Sequence, residues 1–359
     1  VPPAEEDVWP TLLEIDLGAI VANWQAMRRG PTGAAVKADA YGLGAAQVAP
    51  ALYAAGCRHF FTAHLSEALA IRPLLPGAMV AVLNGLWPGA EAEFIDHDLT
   101  PVLGTLDEID RWTGQARRMG RNLPAILHVD TGMNRLGLDA QELDVLAADH
   151  TRLAGLTLRY IMTHLVSAEC PDDPINMLQR DRFAAACDRL PPAPRSLSNS
   201  SGLHLGPSFD SDLARPGAAI YGINPTPGRP NPMRPVVRLR ARVLRLRDVP
   251  VGDSIGYNSQ WTAPRPSRIA TISVGYADGF MRALTNRAVA YFDEQAVPLV
   301  GRVSMDLSTF DVTDVPDIAP GDWLDLIGPG GVDALAGLAN TNGYEVLTSL
   351  GRRYKRRYL

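Results

Sequence analysis

The sequence predicts an α/β chain: an N-terminal (β/α)8 barrel over residues 1–230, followed by a mainly β domain over residues 231–359. Two observations carry this. The first two-thirds alternates short apolar, β-branched or aromatic runs with longer amphipathic ones, the texture of repeated βα units. After TPGRPNPMRP, thick in proline and glycine, helical periodicity gives way to short β-rich runs separated by turn formers.

Eight candidate strands follow in order. They are AAVKAD ending near Asp39, HFFTAH near His64, AMVAVLN near Asn84, TPVL near Leu103, AILHVD at Asp130, LRYIMTH at His164, RSLSNS at Ser200, and the segment around DLARPG ending near Gly217. Segments such as AAQVAPALYAAG and PINMLQRDRFAAACDRL between them suit helices. Eight parallel strands in this length fit a closed barrel, which typically takes roughly 200–250 residues. LGAIVANWQAM reads as an extra helix leading into the first strand. In the second domain VVRLRARVLRLR alternates apolar residues with Arg from Val237 to Val243, then shifts phase at Leu244, as a bulged strand does. A helix is the rival reading, since Leu239, Val243 and Leu246 also fit helical spacing. The runs that follow, RIATISVGYADG, AVAYF, VPLVGRVSMDLSTFDV and DWLDLIG, favour strands.

With 359 residues, 46% of them hydrophobic and 20% charged, the chain buries a sizeable core and is not disordered. Its 34 basic and 39 acidic residues leave a formal charge of −5, so no global field draws it to nucleic acid or anionic lipid. The expected ligand is small. Cys57, Cys170 and Cys187 form no CxxC and no disulfide-like spacing, which suits a reducing compartment. No apolar run approaches the roughly 20 residues of a membrane helix, and the start VPPAEEDVWP is acidic and proline-rich. The expectation is a cytoplasmic protein with no membrane partner and no metal.

In a (β/α) barrel the reactive groups sit where strands end. Here those points hold Lys37 and Tyr41, Asn134 and Arg135, His164, Asn199 and Ser200, and Arg215 and Gly217. Lys37 follows an apolar run that draws its ammonium to the rim of the core. Desolvation there lowers a lysine pKa and makes a nucleophile able to form a Schiff base, while pairing with Asp39 is the plainer alternative. The loops after the seventh and eighth strands offer the Ser200 and Ser201 hydroxyls and the Gly217 and Ala218 amides, a phosphate cradle. Lysine and cradle together fit pyridoxal 5'-phosphate. Arg215 keeps its proton, so facing the pyridine nitrogen it leaves that nitrogen unprotonated; a salt bridge to Asp212 is the alternative. His164 either hydrogen-bonds Arg215 or is a satisfied core histidine. Tyr257, Tyr276 and Tyr344 stand in motif-like contexts, though each taken singly reads better as a surface or interface tyrosine.

Together AAVKADAYGLG, HVDTGMNRLG, MTHL, SNSSG, ARPGAAIYG, GDSIGYNSQW, SVGYADG, GRVSMDL and YEVL resemble, in order and over nearly the whole chain, the alanine racemase family of pyridoxal-phosphate enzymes. The resemblance implies that Lys37 carries the cofactor and that Tyr41, Asn199, Ser200, Gly217, Ala218 and Tyr344 belong to its binding site. It implies that Arg135 binds the cofactor's phenolic oxygen and the substrate carboxylate, and that Arg215 faces the pyridine nitrogen. His164 would orient a catalytic tyrosine, and Tyr276 and the Met305 amide would lie near substrate. Lys37 and Tyr257 would be the two bases, serving the D- and L-isomers, with Tyr257 lent by the partner in a homodimer. His128 stands where some members carry a carbamylated lysine, and Ser304 replaces a frequent cysteine. A broader racemase acting on serine or basic amino acids is one alternative. A decarboxylase of the same architecture is another, opposed by Arg215 where those enzymes place a carboxylate.

Overall fold

The computed structural model describes residues 8–359. The acidic, proline-rich start over residues 1–7 lies outside them. The described residues form two compact units, one over Ile20–Arg234 and one joining residues 8–19 with Pro235–Leu359. The first strand, β1 (Thr11–Ile15), belongs to the second unit.

The first unit is built on β2 (Ala34–Ala35), β3 (His59–Thr62), β4 (Met79–Val82), β5 (Thr100–Leu103), β6 (Leu123–His128), β7 (Leu156–Met162) and β8 (Arg195–Ser196). They pair in chain order and all in parallel. The DLARPG segment closes the ring. On one side the Leu213 and Arg215 amides donate to the Arg195 and Ser198 carbonyls (3.1 and 2.9 Å). On the other, the Ala214 amide donates to Pro31, and the Gly33 and Ala35 amides donate to Ala214 and Pro216 (3.1, 2.9 and 3.0 Å). The expected eighth strand is therefore present as a bridge between the two edges. Helices follow the strands, as at Leu65–Ile71, Leu106–Met119, Ala140–Ala148 and Ile175–Asp188.

Strands covered on both faces are largely apolar, as MVAV is throughout and as HFFT and TPVL are apart from His59, Thr62 and Thr100. Phe60, Phe61, Val80, Val82, Val102, Ile126 and Ile161 are buried, each stabilising the unit by about 1.5–3 kcal/mol.

The second unit centres on the long β9 (Val237–Val249). Around it run β10 (Ser254–Ile255), β11 (Trp261–Thr262), β12 (Ser267–Ile272), β13 (Val289–Phe292), β14 (Gln295–Pro298), β15 (Ser308–Asp311), β16 (Trp323–Asp325) and β17 (Lys355–Tyr358). The first half of β9 pairs with β1 and β16, and its second half with β12. Opposite β12, Thr271 faces Arg245 while Ile272 faces Val243, so Leu244 is the extra residue of a bulge, at the place where the alternation shifts phase. The strand reading holds and the helical rival is excluded. β1 pairs antiparallel with β9 and parallel with β17. The N-terminal strand thus lies with the β unit, whereas the sequence placed all of residues 1–230 with the barrel. Two helices, Gly331–Leu338 and Gly343–Ser349, complete this unit. Among the described residues no helix is long and apolar enough to cross a membrane.

Candidate active site

Lys37 stands at the end of β2, and the four residues after it leave the usual backbone. Ala38, Asp39, Ala40 and Tyr41 have φ of 53°, 54°, 54° and 55°, a turn of left-handed helix made without glycine. Such residues each cost roughly 1–2 kcal/mol, so surrounding contacts must hold the turn. Internally, the Ala40 amide donates to Val36 (2.9 Å) and the Gly42 amide to Ala38 (2.7 Å). From outside, Glu67 Oε1 accepts the Ala38 amide at 2.6 Å. Burial, and then the Arg135 charge, hold the Lys37 ammonium below the ordinary lysine range, and Glu67 opposes both. The alternative pairing with Asp39 is not made. Asp39 instead accepts the Ala45 amide (2.7 Å), and no ion pair to Lys37 forms among the described residues.

Arg215, only 6% exposed, lies on the closing segment. Its Nη2 donates to the Thr163 carbonyl (2.5 Å) and its Nη1 to the Ser196 hydroxyl. No carboxylate pairs with it among the described residues, and burial pushes its pKa down to about 10. Asp212, its suggested partner, accepts the Arg195 amide instead (2.6 Å). Nor does the guanidinium bond the His164 ring. It reaches the carbonyl of the residue before it. Burial, then Arg215, Arg135, Lys37 and His128, depress the His164 pKa to about 3, so the imidazole is neutral. His128 is depressed to about 4, first by burial and then by Arg215.

Arg135 follows β6 on a turn shaped by Asp130, whose carboxylate accepts the Gly132, Met133 and Asn134 amides, each at 2.9 Å. Arg135 and His128 line one cavity of about 180 Å³ with Asn84, Glu108 and Gly137. Lys37, Arg135 and Arg215 thus gather positive charge at one rim with little to neutralise it, which favours an anionic ligand.

The phosphate cradle is also assembled. Ser200 Oγ accepts the Gly217 and Ala219 amides (3.0 and 3.2 Å). The Asn199 side chain is spent on the turn, accepting the Gly202 amide at 2.9 Å. Tyr41 is buried and stacks on Tyr221 with ring centroids 4.6 Å apart, and burial raises its phenol to about 12. A Cβ on Gly217 would lie 2.5 Å from Tyr41 Oη. Two hydroxyls and a side-chain-free peptide therefore converge, with no carboxylate among them, and this donor set fits a phosphate.

The second unit gathers its own motifs. The Tyr276 and Ala277 amides donate to the Ser304 and Met305 carbonyls (both 3.0 Å), and Gly275 is packed against those same carbonyls so that no Cβ fits. Gly256, beside Tyr257, faces the Arg302 amide at 3.3 Å from its Cβ position. The Tyr344 helix ends against the same loop, the Gly351 amide donating to Asp278 (2.9 Å). Tyr257, Met305 and Tyr276 are 67%, 54% and 44% exposed.

Several supporting residues escaped sequence reasoning. Thr163 and Ser196 aim Arg215. Gln179, fully buried, donates to Thr131 Oγ1 (3.1 Å) and to the His164 carbonyl (3.0 Å), tying the loops after β6 and β7. A signal was available, for Asn176 and Gln179 sit at helical spacing with Phe183 on the buried face of Ile175–Asp188.

Comparison with known proteins agrees with this geometry. Residues 15–225 match the family model "Alanine racemase, N-terminal domain", and residues 236–358 match "Alanine racemase, C-terminal domain". The chain is 58% identical over 351 residues to the alanine racemase of Acidiphilium cryptum, covering 97% of this chain and 98% of that protein. It is 53% identical over 362 residues to that of Rhodospirillum rubrum, covering 98% and 97%. Among solved structures, the Bartonella henselae alanine racemase with covalently bound pyridoxal phosphate superposes with a TM-score of 0.94 at 40% identity, covering 99% of this chain and 100% of that one. The biosynthetic alanine racemase of Pseudomonas aeruginosa gives 0.91 at 33% identity, covering 98% and 100%.

Proposed function

The chain belongs to the alanine racemase family and is an amino-acid racemase that interconverts L- and D-alanine; from that premise we propose that it works with pyridoxal 5'-phosphate in the barrel mouth, as a cytoplasmic homodimer. The observation that carries this reading is the convergence of a desolvated Lys37, an ion-pair-free Arg215 and the Tyr41, Ser200 and Gly217 cradle at one barrel rim.

When bound, the cofactor supplies an electron sink that acidifies the amino acid's Cα proton. Lys37 would hold it through Nζ, whose proton affinity burial and then Arg135 lower. The Tyr41 and Ser200 hydroxyls and the Ala218 amide would hold the phosphate, with the Gly217 amide, which donates to Ser200 Oγ, orienting that hydroxyl. Arg215 presents a guanidinium that cannot give up its proton at neutral pH, and it would leave a ring nitrogen that it faced unprotonated, moderating electron withdrawal. That suits removing and returning one proton. Arg135 holds the substrate carboxylate, and Asn199 fixes the Ser200 turn.

Racemisation needs proton transfer on both sides of Cα, and one base cannot reach both. Lys37 takes or returns the proton on the D side, and Tyr257 of the partner subunit acts on the L side. The neutral His164 ring offers one donor and one acceptor to orient that phenol. Tyr276 and Met305 complete the substrate side.

In deuterium oxide, L-alanine should yield D-alanine carrying deuterium at Cα. Carbon dioxide release would instead establish a decarboxylase, and faster turnover of serine, lysine or arginine would establish a broader racemase. Lys37→Ala should lose the visible absorption of the lysine-linked cofactor.

A further inference from the structure

Glu67 occupies the third position of the helix Leu65–Ile71, where a carboxylate ordinarily closes its own helix start. One oxygen does that, with Oε2 accepting the Ala63 and His64 amides (2.8 and 3.0 Å). The other leaves the helix, with Oε1 accepting the Ala38 amide at 2.6 Å, one residue beyond Lys37 in the neighbouring βα loop. Two other helices repeat this bridge along the same rim. Glu108 accepts the Gly104 amide and reaches the Leu86 amide (2.7 and 2.8 Å), and Glu142 reaches the Leu106 amide (3.0 Å). Only the Glu67 bridge ends on the left-handed turn that carries Lys37 and Tyr41.

We propose that Glu67 is a positioning residue for the racemase reaction, clamping the strained Ala38–Tyr41 turn through the Ala38 amide so that Lys37 and Tyr41 face the cofactor together. The inference rests on the reading of Lys37 as the cofactor-bearing lysine. Its geometry admits no neutral substitute. All three bonded groups are N–H donors lying on both oxygens, so an amide at this position turns its NH2 toward a donor on one side. The carboxylate also raises the proton affinity of Lys37 against burial and Arg135, with the neutral His164 the other titratable neighbour.

The sequence makes the test clean, because Lys37 and Lys355 are its two lysines. The full chain, freed of cofactor, is trace-labelled with acetic anhydride across pH and read lysine by lysine by mass spectrometry, with Lys355 as internal reference. In the parent, pyridoxal 5'-phosphate should protect Lys37 and leave Lys355 reactive; failure here would sink the functional reading itself. In Glu67→Gln the Lys37 labelling midpoint should move to lower pH while that of Lys355 stays, and cofactor affinity should fall about tenfold. Glu142→Gln, which loses a comparable bridge far from Lys37, should leave the Lys37 midpoint in place. A folded Glu67→Gln with parental midpoint and affinity overturns the proposal, as does an equal shift in Glu142→Gln. If Glu67→Gln does not fold, Glu67→Asp decides. It keeps the charge and the helix cap but is one methylene too short to span both loops, so cofactor affinity should still fall, and parental affinity would overturn the proposal.

Discussion

Gly217 meets Tyr41 so closely that a Cβ at the glycine would stand 2.5 Å from the tyrosine Oη. The cradle on the closing segment and the turn that carries Lys37 are therefore one packed object, and either is disturbed by a change in the other. Gly217→Ala should weaken cofactor binding at least about tenfold and destabilise the fold by about 1–3 kcal/mol through overpacking. Equilibrium titration of cofactor absorbance and denaturant unfolding read the two effects.

Arg215 is a buried cation held by a carbonyl and a hydroxyl, with no anion beside it among the described residues. Such an arrangement serves a ligand rather than the fold, because desolvation of the charge is poorly repaid without one. Arg215→Met should raise the unfolding free energy of the cofactor-free protein by about 1 kcal/mol while lowering racemisation. Denaturant melts beside alanine turnover check both signs. A less stable variant would mean the guanidinium supports the barrel.

The depressed histidines make stability depend on pH in a stated direction. In the unfolded chain both take up a proton near pH 6.5, but in the fold His128 stays neutral down to about 4 and His164 to about 3. The unfolded state therefore binds more protons as pH falls below about 6.5, and stability drops from there until the folded imidazoles titrate. Urea midpoints at about pH 7.5 and about pH 5 should show the loss, and His128→Gln should flatten it.

In the proposed homodimer the exposed Tyr257, Met305 and Tyr276 would meet the second copy. Met305→Asp should weaken the dimer and lower activity together, by sedimentation velocity and turnover at matched concentrations. Full dimer strength in that variant would place the interface elsewhere.

The placement of the candidate site residues was readable because the strand ends could be counted. Lys37, Arg135, His164, Ser200 and Arg215 were each located by counting strands, and the Leu244 bulge by a break in alternation. What escaped depends on distant partners. Nothing local in TLLEI says that β1 pairs with strands more than two hundred residues away. Nor does ADAY carry a glycine or asparagine to mark a left-handed turn; its contacts, the Glu67 carboxylate on the Ala38 amide and Gly217 beside Tyr41, come from residues distant in sequence. The partners of Arg215 are backbone and hydroxyl groups of adjacent strands, which residue type alone cannot assign.

In the proposed homodimer each site draws Lys37 from one protomer and Tyr257 from the other. Lys37→Ala and Tyr257→Phe protomers, each nearly inactive as a homodimer, should regain alanine racemisation when refolded together, because every mixed dimer then holds one intact site. Mixtures that form hybrid dimers and stay inactive, or a Tyr257→Phe homodimer that racemises at the parental rate, would contradict it.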